Sequence, residues 1–187
     1  FTVTHNTGKS ACFAVPTLCL GWRTLVFSPL ISLMRDQEKS MNLKGVRAGS
    51  ITSHNPTLGA EYLRQWMRGD LDLLYVAPER LRRDDFMGAM KAMPPDAVVC
   101  DEAHALSAWS VTFRSAYMVI GDFISEFQPK VVAAYSATLP PQAEADVRRV
   151  MCIENALQCM YYPRRVNLDI RSSDWDGDVP MVSLIER

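Results

Sequence analysis

Asp101 and Glu102 stand at the end of the apolar run Ala97-Val98-Val99-Cys100, and Thr7-Gly8-Lys9-Ser10 lies upstream, with Lys9 92 residues before Asp101. Together these residue types can hold a magnesium-bound nucleotide. Backbone N–H groups at a helix start and one lysine wrap phosphates, while a serine hydroxyl and a carboxylate ligate the cation. On this reading Asn6, Thr7, Gly8, Lys9 and Ser10 form the phosphate loop, and Lys9 contacts the β and γ phosphates. Ser10 ligates magnesium, Asp101 holds the metal directly or through water, and Glu102 orients and deprotonates the water that attacks the terminal phosphoanhydride.

Each half also has a plainer reading. Gly8-Lys9-Ser10 can simply open a helix, and an acidic pair after a strand can cap the next one. In the pattern G-x-x-x-x-G-K-[ST] the first glycine falls on Val3, so the match is confined to Gly8, Lys9 and Ser10. Asn6 is the residue type best suited, after glycine, to a positive φ. Ser136-Ala137-Thr138 follows Asp101 by 35 residues. The hydroxyls of Ser136 and Thr138 can touch the acidic loop, but small polar residues before Pro140-Pro141 also suit a helix cap, the reading preferred in isolation. His104 is equally compatible with a structural histidine.

The elements that must position these residues alternate. Strands are expected at Thr24 to Ser28, Val46 to Ile51, Leu71 to Ala77, Ala97 to Asp101 and Val131 to Ser136. Helices are expected at Lys9 to Leu20, Leu30 to Asn42, Leu58 to Arg68, Asp84 to Lys91, Ser115 to Glu126 and Pro141 to Val150, with Pro16 bending or ending the first. Alternation of this kind predicts an α/β fold, a parallel sheet with helices on both faces, and puts every motif at the carboxyl end of a strand. A last strand is expected at Val166 to Ile170, and a linker from Ser172. Met87, Met90 and Met93 read as a buried helix stripe, and Arg82-Arg83-Asp84-Asp85 as a solvated helix start.

Length and composition fit this picture. The chain has 187 residues, 48% hydrophobic and 22% charged, enough for one domain with a real core, and its net charge of −1 neither favours nor excludes nucleic acid. Five cysteines show no Cys-x-x-Cys pair, which argues against a metal cluster or disulfide framework and for a reducing, cytoplasmic setting. No apolar stretch approaches the roughly 20 residues that span a bilayer. Phe1 in place of a start methionine suggests a fragment that begins inside a strand.

With these pieces in order, the chain resembles the first RecA-like lobe of superfamily 2 helicases, and among them the RecQ family. Ser28-Pro29-Leu30-Ile31-Ser32-Leu33-Met34-Arg35-Asp36-Gln37 is similar to that family's motif Ia, and Leu71 to Leu81 to its motif Ib region. The DEAH tetrapeptide Asp101 to His104 is followed by Ala105 to Arg114, similar to the family's aromatic-rich loop, with Trp109, Phe113 and Arg114 on its characteristic positions.

The resemblance implies a P-loop NTPase fold that uses ATP and Mg2+, DNA-dependent ATP hydrolysis, and 3′ to 5′ movement on single-stranded or forked DNA. It implies DNA-backbone contacts by Pro29, Ser32, Arg35 and Arg80, with contact sensing or stacking by Trp109 and Phe113. Coupling between DNA and nucleotide would run through His104, Arg114, Ser136 and Thr138 as well. It also implies a partner, the second RecA-like lobe, beyond a first lobe at residues 1–171 and a linker at 172–187. The departures are Asn6 and Thr7 where the family has glycines, and Ala108 and Ser110-Val111-Thr112 in the aromatic-rich loop. They leave open a weakened, non-catalytic nucleic-acid-binding lobe, or a translocase that does not separate strands.

Overall fold

The computed structural model describes residues 8–52, 55–105 and 119–160 with their side chains, and residues 2–3, 111–118 and 161 as backbone. Five strands form one parallel sheet: β2 (Thr24–Phe27), β3 (Ala48–Ile51), β4 (Leu73–Val76), β5 (Ala97–Cys100) and β6 (Val131–Ala134), in the order β3-β4-β2-β5-β6. Two short strands, β1 (Thr2–Val3) and β7 (Met160–Tyr161), pair with each other in parallel. The helices are α1 (Lys9–Leu20), α2 (Ile31–Leu43), α3 (Pro56–Arg68), α4 (Asp84–Ala92), α5 (Val111–Phe127) and α6 (Pro141–Val150), with a 3-10 turn at Pro78–Arg82.

Strands β2 to β5 are buried along their whole length. The reason is the double cover. Leu25, Phe27, Leu74, Val76, Val98 and Cys100 point to a core shared with Trp66 of α3, Phe86 and Met90 of α4, Phe123 of α5 and Val147 of α6. Val26, Leu73, Tyr75 and Val99 point the other way, onto Phe13 of α1 and Met34 and Met41 of α2. Period-2 alternation thus serves two apolar layers, so the strands read as continuous apolar runs. Trp66 is fully buried and its Nε1 donates to the Met93 carbonyl at 2.8 Å, which satisfies the indole polar group inside the core.

Two aspartates fasten the amino ends of the strands. Asp72, just before β4, accepts the Arg47 backbone N–H at 3.0 Å and its guanidinium, and the Asp72 carbonyl accepts the Thr24 N–H at 2.9 Å. Asp96, just before β5, accepts the Arg23 N–H at 3.0 Å and the Lys130 ammonium at 2.8 Å. The amino end of the sheet is therefore tied across β3, β4, β2, β5 and β6, while the carboxyl end is left to loops.

Sequence and structure differ in places. Helix α1 does not end at Pro16. It continues to Leu20, where Gly21 closes it at φ 62 and the Trp22 N–H bonds back to the Thr17 carbonyl. Thr17, one residue past the proline, donates its hydroxyl to the Phe13 carbonyl at 2.7 Å and meets the Thr24 hydroxyl at 2.6 Å, which holds the last turn against β2. Helix α3 starts at Pro56, two residues earlier than expected, because a proline is tolerated in the first turn. Met90 is fully buried with Met87 and Met93 packed beside the same core, and the Arg83–Asp85 pair lies on the surface, as expected. The expected strand at 166–170 and the linker from 172 lie outside the described residues.

Candidate nucleotide site

Gly8 precedes α1 with φ 86, in the left-handed region, and no side chain caps the helix start. A Cβ there would meet nothing within 4 Å, so the glycine is required by backbone conformation rather than by crowding. It turns the chain so that Lys9 begins the helix with its side chain directed inward, 9% exposed. The Lys9 ammonium donates to Glu102 Oε1 at 2.6 Å. Ser10 is half-buried in the same turn.

The acidic loop is laced to its neighbours. The Asp101 N–H donates to the Phe27 carbonyl at 2.9 Å, the Tyr135 N–H to the Cys100 carbonyl at 2.8 Å, and the Ala103 N–H to the Tyr135 carbonyl at 2.9 Å. Glu102 sits at φ 53, where a non-glycine residue pays on the order of 1 kcal/mol. Its N–H donates to Asp101 Oδ1 at 3.0 Å, its carbonyl accepts the Ala105 N–H at 2.9 Å, and its side chain is held by Lys9. These contacts offset the strain and turn the carboxylate toward the lysine. Glu102 Oε2 is buried and accepts no hydrogen bond among the described residues, with His104 Nδ1 3.3 Å away.

His104 joins two loops. Its Nδ1 lies 3.0 Å from Ser136 Oγ, and Ser136 donates to the Thr138 carbonyl at 2.7 Å. The capping expectation for Ser136 and Thr138 is therefore corrected. Pro140 occupies the cap position of α6 and no side chain bonds there, because Ser136 turns back to the acidic loop and Thr138 contributes its carbonyl. His104, with its side chain 41% exposed and bonded to Ser136, remains compatible with a structural histidine that ties the two loops.

The residues expected to meet DNA fall on both sides of α2. Pro29 and Ser32 line an open groove with Leu30, Asp36, Glu102 and His104. Arg35 lines a second groove with Ser50, Thr52 and Asn55, where Arg80 donates to the Thr52 carbonyl at 3.0 Å. The side chains of Asn6, Thr7, Trp109, Phe113 and Arg114 lie outside those described.

Gln37 and Tyr75 belong to this site, although their types and spacing assigned them no role. Gln37 Nε2 donates to Asp101 Oδ2 at 2.7 Å. Its signal in the sequence is a polar residue on the stripe Met34, Gln37, Met41 that buries α2. Tyr75 has a fully buried ring whose hydroxyl lacks a partner among the described residues. Burial, then the charges of Asp101 and Glu38, push its phenol well above the ordinary value, so it stays neutral.

The donor set suits a magnesium nucleotide. Mg2+ is usually held by one or two carboxylates plus phosphates rather than by a cage of protein ligands. Asp101 is the carboxylate that would serve, and no group of three or more metal-ligating side chains occurs among the described residues. The buried, unsatisfied Glu102 Oε2 suits a water brought in with the nucleotide.

The DEAD/DEAH box helicase family model matches residues 5–147. The ATP-dependent DNA helicase RecQ of Haemophilus influenzae is 32% identical over 149 residues, which is 79% of this chain and 24% of that protein. The RecQ of Bacillus subtilis is 34% identical over 149 residues, 79% of this chain and 25% of that protein. The chain thus spans about a quarter of the length of these curated relatives. Among solved structures, the Pyrococcus furiosus Hef helicase domain matches with a TM-score of 0.60 at 17% identity, covering 82% of this chain and 33% of that one. A hypothetical ATP-dependent RNA helicase from Sulfolobus tokodaii matches with a TM-score of 0.59 at 20% identity, covering 82% and 44%. These two share the fold, a RecA-like α/β sheet. The chain belongs to the DEAD/DEAH box helicase family, as a RecQ-like member.

Proposed function

We propose that this chain is the first motor lobe of an ATP-dependent DNA helicase, spanning residues 1–171 and followed by a linker at 172–187 to a second RecA-like lobe. The observation that carries this reading is the buried contact of Lys9 with Glu102, beside Asp101 and at the wall of a groove shared with Pro29 and Ser32. A nucleotide triphosphate would draw Lys9 away from Glu102 and leave the carboxylate to orient and deprotonate water. Gly8 and the first turn of α1 bind phosphate oxygens through backbone N–H groups. Ser10 and Asp101 are the residues that would hold Mg2+, which would supply charge neutralisation for the phosphates.

DNA is held through its backbone, so no sequence preference is expected. Ser32, Pro29, Arg35 and Arg80 follow the strand, and the loop with Trp109, Phe113 and Arg114 reports contact to the nucleotide site by way of His104, Ser136 and Thr138. Movement is 3′ to 5′, as the RecQ resemblance implies, on single-stranded or forked DNA. No helix of the described residues is long and apolar enough to cross a membrane, and a DNA-associated location follows from the substrate.

The test is DNA-stimulated ATPase of the full-length protein beside Lys9→Ala and Glu102→Gln. Stimulated turnover in wild type that falls by at least about 100-fold in both variants is expected. Equal, negligible rates in all three would leave a nucleic-acid-binding lobe without catalysis. Duplexes with 3′ or 5′ tails then separate helicase from simple translocase, and unwinding from a 5′ tail alone contradicts the direction.

A further inference from the structure

Helix α2 touches both proposed functions. Its amino end carries Ser32 and Arg35 on the two grooves, and its middle carries Gln37, whose amide reaches Asp101. Ser32 and Gln37 are five positions apart, roughly 7.5 Å along the axis. A packed helix of 13 residues moves as one body, and Met34 and Met41 anchor this one on the sheet.

The chemistry of the contact is selective. Asp101 is buried, 1% exposed, and both its oxygens are engaged, Oδ1 by the Glu102 N–H and Oδ2 by Gln37. Two hydrogen bonds at opposite oxygens fix the rotation of the carboxylate plane. A carboxylate only accepts, so the Gln37 amide must present its NH2 there and its oxygen elsewhere. A neutral amide orients the carboxylate without neutralising it. A lysine or arginine in its place would compete with the cation. Gln37 Oε1 is buried and lacks a partner among the described residues, which is the acceptor a metal-bound water would use.

We propose that Gln37 is the positioning residue through which α2 sets the Asp101 carboxylate, so that DNA engaged along α2 changes how tightly the magnesium nucleotide is held. This rests on the reading of the chain as a DNA-dependent ATPase lobe. Displacement of α2 by DNA shifts the Gln37 amide, rotates Asp101 and alters the metal side of the site, while Lys9 and Gly8 act on the phosphates independently.

The experiment uses full-length protein with Gln37→Met, close in volume, without a donor and with only a weak thioether acceptor, and Gln37→Asn, which keeps the amide one methylene short. Magnesium is titrated against binding of a fluorescent ADP analogue, with and without single-stranded DNA, and the ratio of DNA-stimulated to basal ATPase is measured alongside. Gln37→Met is expected to raise the Mg2+ half-saturation on the order of tenfold, to abolish its response to DNA, and to lower the stimulation ratio. DNA affinity without nucleotide should stay near wild type. A half-saturation and stimulation ratio unchanged in Gln37→Met overturn the inference. If that variant does not fold, Gln37→Asn decides by the same readouts, with an intermediate shift supporting the proposal and wild-type behaviour overturning it. Absence of DNA-stimulated hydrolysis in wild type strikes the functional reading itself, whereas normal stimulation with an unmoved magnesium midpoint strikes only the role of Gln37.

Discussion

Lys9 Nζ and Glu102 Oε1 lie 2.6 Å apart with both side chains largely buried, across 93 residues of sequence. The lysine that would bind phosphate therefore neutralises the carboxylate that would activate water. The two ends of the pair are not equivalent. Lys9 reaches inward on a flexible stem from the first residue of α1, whereas Glu102 is fixed at positive φ in the buried acidic loop.

Removing the lysine should cost more than removing the glutamate charge. Lys9→Met leaves Glu102 buried without its cation and is expected to destabilise by about 2 kcal/mol, while Glu102→Gln costs less than about 1 kcal/mol. Urea unfolding of both variants and the double variant checks this. Strict additivity would show that the pair is not coupled.

The His104–Ser136 contact links the acidic loop to the loop after β6. His104→Ala and Ser136→Ala should each lower DNA-stimulated ATPase by about tenfold with nucleotide affinity retained, and the double variant should be no worse than the single ones. Steady-state rates beside equilibrium nucleotide binding provide the measurement. Multiplying losses would place the two residues in separate roles.

Asp96 gives the fold a pH dependence. Burial pushes its carboxyl up, but the Lys130 hydrogen bond, the Arg23 backbone N–H and both positive charges outweigh this, so it lies below the ordinary value. A depressed folded-state pKa contributes stability that is complete above the unfolded value near ~4 and is lost as pH falls through the folded one. Asp96→Asn is expected to destabilise by about 1 kcal/mol at neutral pH, discounted because Lys130 is exposed, and the gap should close toward about pH 3. Denaturant midpoints at the two pH values test it, and a constant gap would assign the effect to packing.

Gly8→Ala places a Cβ in open space but at φ 86. It should lower stability by about 1 kcal/mol and weaken nucleotide binding by more than that strain alone, because relaxing the turn reorients the first N–H groups of α1. Unfolding and nucleotide titration of the same variant separate the effects. Unchanged affinity would detach the turn from the phosphate site.

Much of the scaffold was legible because apolar runs and helix signals are local. The ends of α1 and α6 are as the periodicity predicts, and β2 and β5 each fall one residue short of it. Pro16 does not end α1, since Thr17 beyond it bonds back to the Phe13 carbonyl and meets Thr24 of β2. Ser136 misled for the same kind of reason. Local chemistry allows it to cap α6, and only the approach of His104 across the sheet end turns it away.

By itself the sequence determined the class of fold and pointed to Gly8, Lys9, Ser10, Asp101 and Glu102 as candidates for one nucleotide site, because strand and helix periods and motif spacing are written along the chain. Tertiary structure alone decided which side chains meet around these residues. Gln37 meets Asp101 and His104 meets Ser136 because the neighbouring parallel strands β2, β5 and β6 end together, and Lys9 reaches Glu102 from the start of α1. Such contacts join residues 32 to 93 positions apart, and no local propensity specifies them.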